Sequence, residues 1–242
     1  MSDFATIASI WRYPVKSMLG EQLDAVEVTS SGLVGDRVFA FKDPDGRPGF
    51  PWVTGRQLRE MILYSARFEN VADIGAASSL SVTLPDGQRF AVDDPALAAL
   101  LAERSGAKQT PELVRDHIET LVDCYPVSLF SLQTAHQLSG EVGVEVDHRR
   151  FRANFYIDLG DGQGFGEDSL VGHDVRIGAD LVIHVAERDA RCLMVTLDPD
   201  STEANPNILG QLSKAHDTSA GIYCQVVSGG TVQVGDPVVI VS

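Results

Sequence analysis

With 242 residues, 44% of them apolar and 22% charged, the chain can bury one large core or two modest ones, and wholesale disorder is excluded. Thirty-four acidic residues against 19 basic give a formal net charge of −15, a surface that repels nucleic acid and anionic lipid in general. No apolar run is long enough to cross a bilayer and no secretion signal opens the chain, so we expect a cytoplasmic protein with no nucleic-acid and no membrane partner.

Phe4 to Tyr13 is an apolar extended segment closed by Pro14, and Val15 to Gly20 follows as a loop in which Lys16 and Ser17 are neighbours. Glu21 to Val28 reads as a second strand, Thr29 to Gly32 as a turn, and Val38 to Phe41 as the apolar part of a third strand. Asp43-Pro44-Asp45-Gly46 signals a turn, which suggests a hairpin between that strand and Trp52-Val53-Thr54. Leu58 to Phe68 could be a short helix or a strand; β-branched and aromatic content favours a strand after a turn at 57–60. Leu80–Leu84 and Arg89–Val92 flank an Asp-Gly pair and form the clearest hairpin. Asp94 before Pro95 fits a helix N-cap with proline in the first turn, and Ala96 to Arg104 continues that helix to Ser105-Gly106.

Lys108 to Glu119 is polar and carries no clear pattern. Leu121 to Tyr125 leads into Pro126, after which Val127 to Leu138 reads as a helix ended by Ser139-Gly140. From Phe151 strands return: Phe151–Asp158, Val175–Ile177, Leu181–Ala186, Leu193–Thr196, Gly221–Val227, Thr231–Val234 and Pro237–Val241, with a short helix at Asn207–Ala215. Many short strands without regular strand–helix alternation favour a mainly β, barrel-like body with a few short helices. The division expected is a β-rich domain over residues 1–110 and a second over 111–242.

Three cysteines lie far apart with no CxxC spacing, which excludes a four-cysteine iron–sulfur cluster and a typical structural zinc site, and the odd count argues against a disulfide framework. Cys124 and Cys224 sit in apolar contexts and are expected in the core. Cys192 follows Arg191 and precedes a short apolar run that ends in the turn residues Asp198-Pro199-Asp200-Ser201. An exposed thiol there would be favoured as thiolate by the arginine, whereas a buried one would be a small hydrophobe. The basic residues cluster at Arg12 and Lys16, Arg56 and Arg59, Arg149, Arg150 and Arg152, and Arg188 and Arg191. A positive pocket in an acidic protein suits a small anionic ligand. His136, His173 and His184 lack metal-ligand spacing, and the DPDG segment lacks the remaining ligands of a calcium loop.

Read together, these segments resemble the MOSC family, the molybdenum cofactor sulfurase C-terminal domain, preceded by its N-terminal β-barrel domain. YPVKSMLG resembles the family's YPVKSC-G opening, SGLVGDRVFAF its GL--DR segment, TGR at Thr54–Arg56 its TQR, and FRANF its FRPN. The run from Glu167 to Gly178 resembles a stretch ending in IG, and ARCLMVTLDPD resembles RC--T-VDP. The ending, from Gly221 in GIYCQVV to Gly235-Asp236, resembles fG-Y followed by vGD. The ordered set spans nearly the whole chain; Met18 and Ala153 depart from it, standing where many relatives have cysteine and proline.

The resemblance implies a molybdenum–molybdopterin oxidoreductase that reduces N-hydroxylated or N-oxide small molecules. Cys192 would be the metal ligand, a soft thiolate suited to molybdenum held by a dithiolene. Lys16, Ser17, Arg37 and Arg152 would hold the pterin and its phosphate, with Arg191 beside the thiol and Asn154 and Thr196 as neutral polar contacts. Electrons would come from a separate ferredoxin-like or reductase partner. Pyridoxal phosphate binding is a further family-level implication. Two other classes remain open at this point: a carrier of persulfide sulfur on Cys192 or of the cofactor itself, and a noncatalytic small-anion-binding module.

Overall fold

The computed structural model describes residues 4–70, 74, 77–115, 121 and 124–241, Ser78 by its backbone alone. Short runs of β-branched, aromatic and aliphatic residues, cut by glycine and proline, form the strands β1 (Ala5–Arg12), β2 (Glu21–Leu23), β3 (Ala25–Thr29), β4 (Gly32–Leu33), β5 (Phe39–Arg47), β6 (Phe50–Trp52), β7 (Ser65–Phe68), β8 (Leu80–Thr83) and β9 (Arg89–Ala91). After helix α1 (Pro95–Ser105) come β10 (Glu112–Arg115), β11 (Val127–Ser131), helix α2 (Leu132–Val142), β12 (Phe155–Asp158), β13 (Asp174–Ile177) and β14 (Leu181–Ala190). Helix α3 (Pro206–Ala215) then precedes β15 (Ser219–Ser228), β16 (Gly230–Gln233) and β17 (Pro237–Ile240). The chain is thus mainly β, and it folds into two compact units: Met1–Trp11, Gln22–Val34 and Cys124–Ser242 form one, Arg12–Glu21 and Gly35–Asp123 the other. Among the described residues no helix is long and apolar enough to cross a membrane.

In the first unit seven strands close into a barrel in the order β12-β11-β15-β14-β13-β17-β1, with β1 returning to β12. Six of the seven neighbouring pairs are antiparallel and one, β11 with β12, is parallel. An odd ring cannot alternate direction throughout, so one parallel pair is a topological necessity. A parallel pair also needs a crossover, and α2 supplies it. Ile7, Ile10, Leu129, Phe155, Ile157, Val175, Ile183, Val185 and Ile222 fill the interior, all at most 1% exposed.

The helix expected over Val127–Leu138 begins only at Leu132. All five residues of β11 are buried, so the segment shows no half-exposed face by which periodicity could identify it, and pairing with β12 and β15 fixes it as a strand. Ser131 caps the helix that follows, its hydroxyl accepting from the Thr134 N–H. A second apolar layer lies against the barrel's outer face: Phe130, Tyr156, Phe151 and Val195 pack with Ala135 and Leu138 of α2 and Ile208 and Leu212 of α3.

The second unit has its own core of Val15, Met18, Phe39, Phe41, Met61, Tyr64, Val82, Leu97 and Leu101, enclosed by the sheets β10-β5-β6 and β7-β8-β9 and by α1. The hairpin β8–β9 and the capped helix α1 stand where the sequence places them, Asp94 accepting from the Ala96 N–H at 2.8 Å and Gly106 closing the helix in the left-handed region. Two expectations are corrected. Asp43 to Gly46 continues β5 across an irregular register between Lys42 and Arg47 rather than forming the turn itself. Leu58–Phe68 begins with a 3-10 turn at Arg59–Leu63, and only Ser65–Phe68 is strand. Part of the polar stretch 108–119 is strand β10; residues 116–120 and 122–123 lie outside the described residues.

Candidate functional site

In the second unit the YPVKS and GDR segments fold as one piece. The Arg37 N–H donates to the Tyr13 carbonyl at 2.7 Å, and the Lys16 N–H to the Phe39 carbonyl at 2.8 Å, so the two runs lie side by side in parallel. Asp36 accepts from the Tyr13 N–H at 2.7 Å and pairs with Arg37, whose guanidinium lies 4.9 Å from the centre of the Tyr13 ring. Tyr13 can lie flat here only because Gly20 leaves room; a Cβ at Gly20 would fall 2.5 Å from the ring. Lys16 is buried, its ammonium donating to the Leu121 carbonyl at 3.0 Å and sitting 5.6 Å from the Phe50 ring centre. Arg56 of the TGR segment approaches the same ring at 4.9 Å. Met18, the first departure from the family pattern, is wholly buried in this unit's core.

In the first unit the cysteine segment differs from its sequence reading: Leu193–Thr196 is a 3-10 turn, not a strand, and Cys192 is its extended N-terminal flank at φ −122°. The Val195 N–H donates to the Cys192 carbonyl, and the Thr196 hydroxyl donates to the Leu193 carbonyl at 2.8 Å. The short apolar run buries Val195 and Thr196 beside α3 but leaves Leu193 44% exposed, a one-sided pattern that four residues cannot signal in advance. Cys192 is half-buried, Cys224 buried in the barrel, and Cys124, expected in the core, is exposed. Full burial pushes the Cys224 thiol well above its ordinary range, because no charge partner offsets the loss of water.

Arg191 is committed to the protein. Its guanidinium donates to the Ala220 carbonyl at 2.7 Å and the Phe151 carbonyl at 2.8 Å, meets the Asp189 carboxylate at 2.7 Å, and lies over the Phe151 ring. Asn154 is equally engaged: its side-chain oxygen accepts from the Ser128 N–H and hydroxyl at 3.1 Å each, and its amide donates to the Trp11 carbonyl at 3.3 Å. Both are buried braces that hold the cysteine loop and the FRANF segment to the barrel. Ala153, the second departure, donates its N–H to the Tyr156 hydroxyl at 3.1 Å, a bond that proline could not make.

Three candidate residues share a backbone property that sequence patterns do not reveal. Ser17, Arg37 and Arg152 all have positive φ, at 66°, 47° and 52°. Non-glycine residues in that region are strained and gather at sites where geometry matters more than stability. Arg152 exits the 3-10 turn His148–Phe151 in this conformation. The sequence reading assigned no role to two neighbours: Arg150, which reaches Thr196 and Asp198, and Asp189, which pairs with Arg191. The basic cluster at 149–152 was the only signal for the first, and nothing marked the second.

The Asp198 loop is tightly bonded. Burial pushes its carboxyl upward, but hydrogen bonds from the Asp200 and Ser201 N–H groups and the Ser201 hydroxyl, with the Arg150 charge, outweigh it and hold the group below its ordinary value. Glu167 is wholly buried and accepts from the Ser131 N–H and from the Ser131 and Thr134 hydroxyls at 2.7 to 3.1 Å, tying the segment before β13 to the start of α2.

Residues 116–239, slightly more than half of the chain, match the MOSC domain, and residues 4–123 match the MOSC N-terminal beta barrel domain. The chain is 24% identical over 290 aligned positions to mitochondrial amidoxime reducing component 2 of Bos taurus and to that of Macaca fascicularis, each alignment covering 98% of this chain and 84% of the relative. Among solved structures, the YUAD protein of Bacillus subtilis superposes with a TM-score of 0.51 at 13% identity, covering 97% of this chain and 93% of that one, which is a likeness of fold.

Proposed function

The chain belongs to the MOSC domain family, and from that premise we propose that it binds the molybdenum–molybdopterin cofactor and reduces N-hydroxylated or N-oxide small molecules. The similarity to the amidoxime reducing component supports the reaction class. The single observation that carries the site is the half-buried Cys192 at the start of a braced 3-10 turn. The donor chemistry suits the cofactor: one soft thiolate matches a metal whose other sulfur ligands come with the pterin, and in the same unit the incompletely buried Arg152 offers a guanidinium for the phosphate, while the assignment of Ser17 and Arg37 to the pterin rests on the family pattern alone. When bound, the cofactor supplies the two-electron chemistry that removes oxygen from nitrogen.

The protein's own residues orient and hold. Cys192 would ligate the metal; Arg191 and Thr196 fix the backbone around it through bonds to the Ala220, Phe151 and Leu193 carbonyls, and Asn154 fixes the FRANF segment to Ser128 and Trp11, so their contribution is positional. Lys16, in the second unit, is buried with its ammonium directed at the Leu121 carbonyl. Pyridoxal phosphate fits less well, because a Schiff base needs an accessible amine and the motif lysine does not offer one. Electrons are supplied by a separate ferredoxin-like or reductase protein, and the working place we assign is the cytoplasm.

The test is metal and pterin analysis on protein made in a host that synthesises the cofactor, wild type beside Cys192→Ser. We expect near-stoichiometric molybdenum and pterin in the wild type with reduction of a hydroxylamine or N-oxide, and loss of turnover in the variant. Cyanide-releasable sulfur without molybdenum would instead establish the persulfide carrier.

A further inference from the structure

We infer that Arg150 is a positioning residue for the Cys192 thiol, acting with Arg191 as a reciprocal clasp between the His148–Phe151 turn and the cysteine loop. This deepens the reading of Cys192 as the reactive group and rests on it. The clasp consists of two guanidinium-to-carbonyl bonds running in opposite directions. Arg191, directly before the cysteine, donates to the Phe151 carbonyl at 2.8 Å. Arg150, on the turn, donates back to the Thr196 carbonyl at 2.9 Å and to the Asp198 carboxylate at 2.7 Å. The thiol is therefore carried on a span held at both ends by one turn.

Within that span Val195 is buried and the Thr196 hydroxyl donates to the Leu193 carbonyl at 2.8 Å. The Val195 N–H reaches the Cys192 carbonyl at 3.2 Å, and Leu193 is exposed. The Thr196 carbonyl is the far anchor, since it also accepts the Asn205 N–H at 2.8 Å, the bond that closes the Asp198 loop onto the start of α3. Arginine is the residue this task requires: its planar fork addresses two acceptors on different residues, whereas a lysine ammonium is a point charge. The side chain is 8% exposed, so the charge is stable there only while Asp198 pairs with it. Arg149 differs in kind, binding Asp147 and Asp200 at the surface. Because Arg152 leaves the same turn, the clasp also ties the thiol to the residue proposed to meet the pterin.

The experiment reads the thiol itself, without the cofactor. Full-length protein purified cofactor-free is treated with iodoacetamide, and alkylation of Cys192 and Cys124 is followed separately by peptide mass spectrometry in wild type, Arg150→Met, Arg150→Lys and Val185→Ala. Arg150→Met is expected to raise the Cys192 rate about tenfold by freeing the loop, with Arg150→Lys between it and wild type and the Cys124 rate unchanged. Val185→Ala, a barrel-core truncation, lowers the melting temperature without changing the Cys192 rate, which separates local positioning from general destabilisation. An unchanged Cys192 rate in Arg150→Met, or an equal rise in Val185→Ala, overturns the clasp. Should Arg150→Met not fold, Asp198→Ala removes the carboxylate acceptor of Arg150 and is expected to move the rate in the same direction; no movement there overturns the clasp as well. Absence of molybdenum from the wild type would remove the proposed function and leave this alkylation result standing. Molybdenum uptake with an unmoved rate would do the reverse.

Discussion

Gly221 opens the space that Arg191 occupies. A Cβ built at Gly221 would lie 3.1 Å from a terminal nitrogen of the Arg191 guanidinium and 2.7 Å from the Leu129 carbonyl oxygen, and the residue's φ is +79°. The glycine of the GIY segment thus serves the cysteine loop thirty positions away by leaving room for its brace. Gly221→Ala is expected to destabilise the protein by about 2–4 kcal/mol through backbone strain and overlap, and to loosen Arg191 from the Ala220 and Phe151 carbonyls. Denaturant unfolding measures the first effect; hydrogen exchange at residues 191–197 measures the second.

Ser17 gives a prediction of opposite sign. Its φ of 66° is relaxed for glycine and strained for serine, so Ser17→Gly should leave stability unchanged or raise it by up to about 1 kcal/mol, strain relief being partly offset by chain entropy. If the hydroxyl holds the cofactor, pterin and molybdenum content should fall in the same variant. A thermal melt beside metal analysis tests both, and a variant that loses stability yet keeps its cofactor would contradict the assignment.

Glu167 is a structural carboxylate whose removal leaves three buried donors of Ser131 and Thr134 without their acceptor. Glu167→Ala should cost about 2–4 kcal/mol. Glu167→Gln should cost less, because the remaining amide oxygen still accepts. Denaturant midpoints at constant slope provide the comparison.

The Asp198 loop should respond to acid. Its carboxyl lies below the ordinary value of 3.8 in the folded protein, so the unfolded chain binds the proton first as pH falls. The stabilisation is complete above pH 3.8 and is lost as pH drops through the lower folded value. Hydrogen-exchange protection of residues 196–205 should fall over that window in the wild type, and the step should be missing in Asp198→Asn, where no carboxyl titrates.

What the sequence determined by itself was everything carried by local chemistry. The Asp86-Gly87 hairpin, the Asp94-Pro95 helix start and most of the barrel strands were legible because turn residues, caps and β-branched runs act within a few positions. The family pattern likewise singled out Cys192, Arg152 and Ser17. The tertiary structure alone decided what depends on distant partners. Val127–Ser131 became a strand because β12 and β15 flank it on both sides, and burial on every face erased its periodicity. Leu193–Thr196 became a 3-10 turn because Val195 is drawn into the layer formed by α2 and α3. Arg191, Asn154 and Lys16 were marked by the family pattern as cofactor-binding, and their donors are directed at backbone carbonyls far along the chain, from 29 to 143 positions away. Local sequence can show that a charge is present; only the folded backbone determines which acceptor it meets.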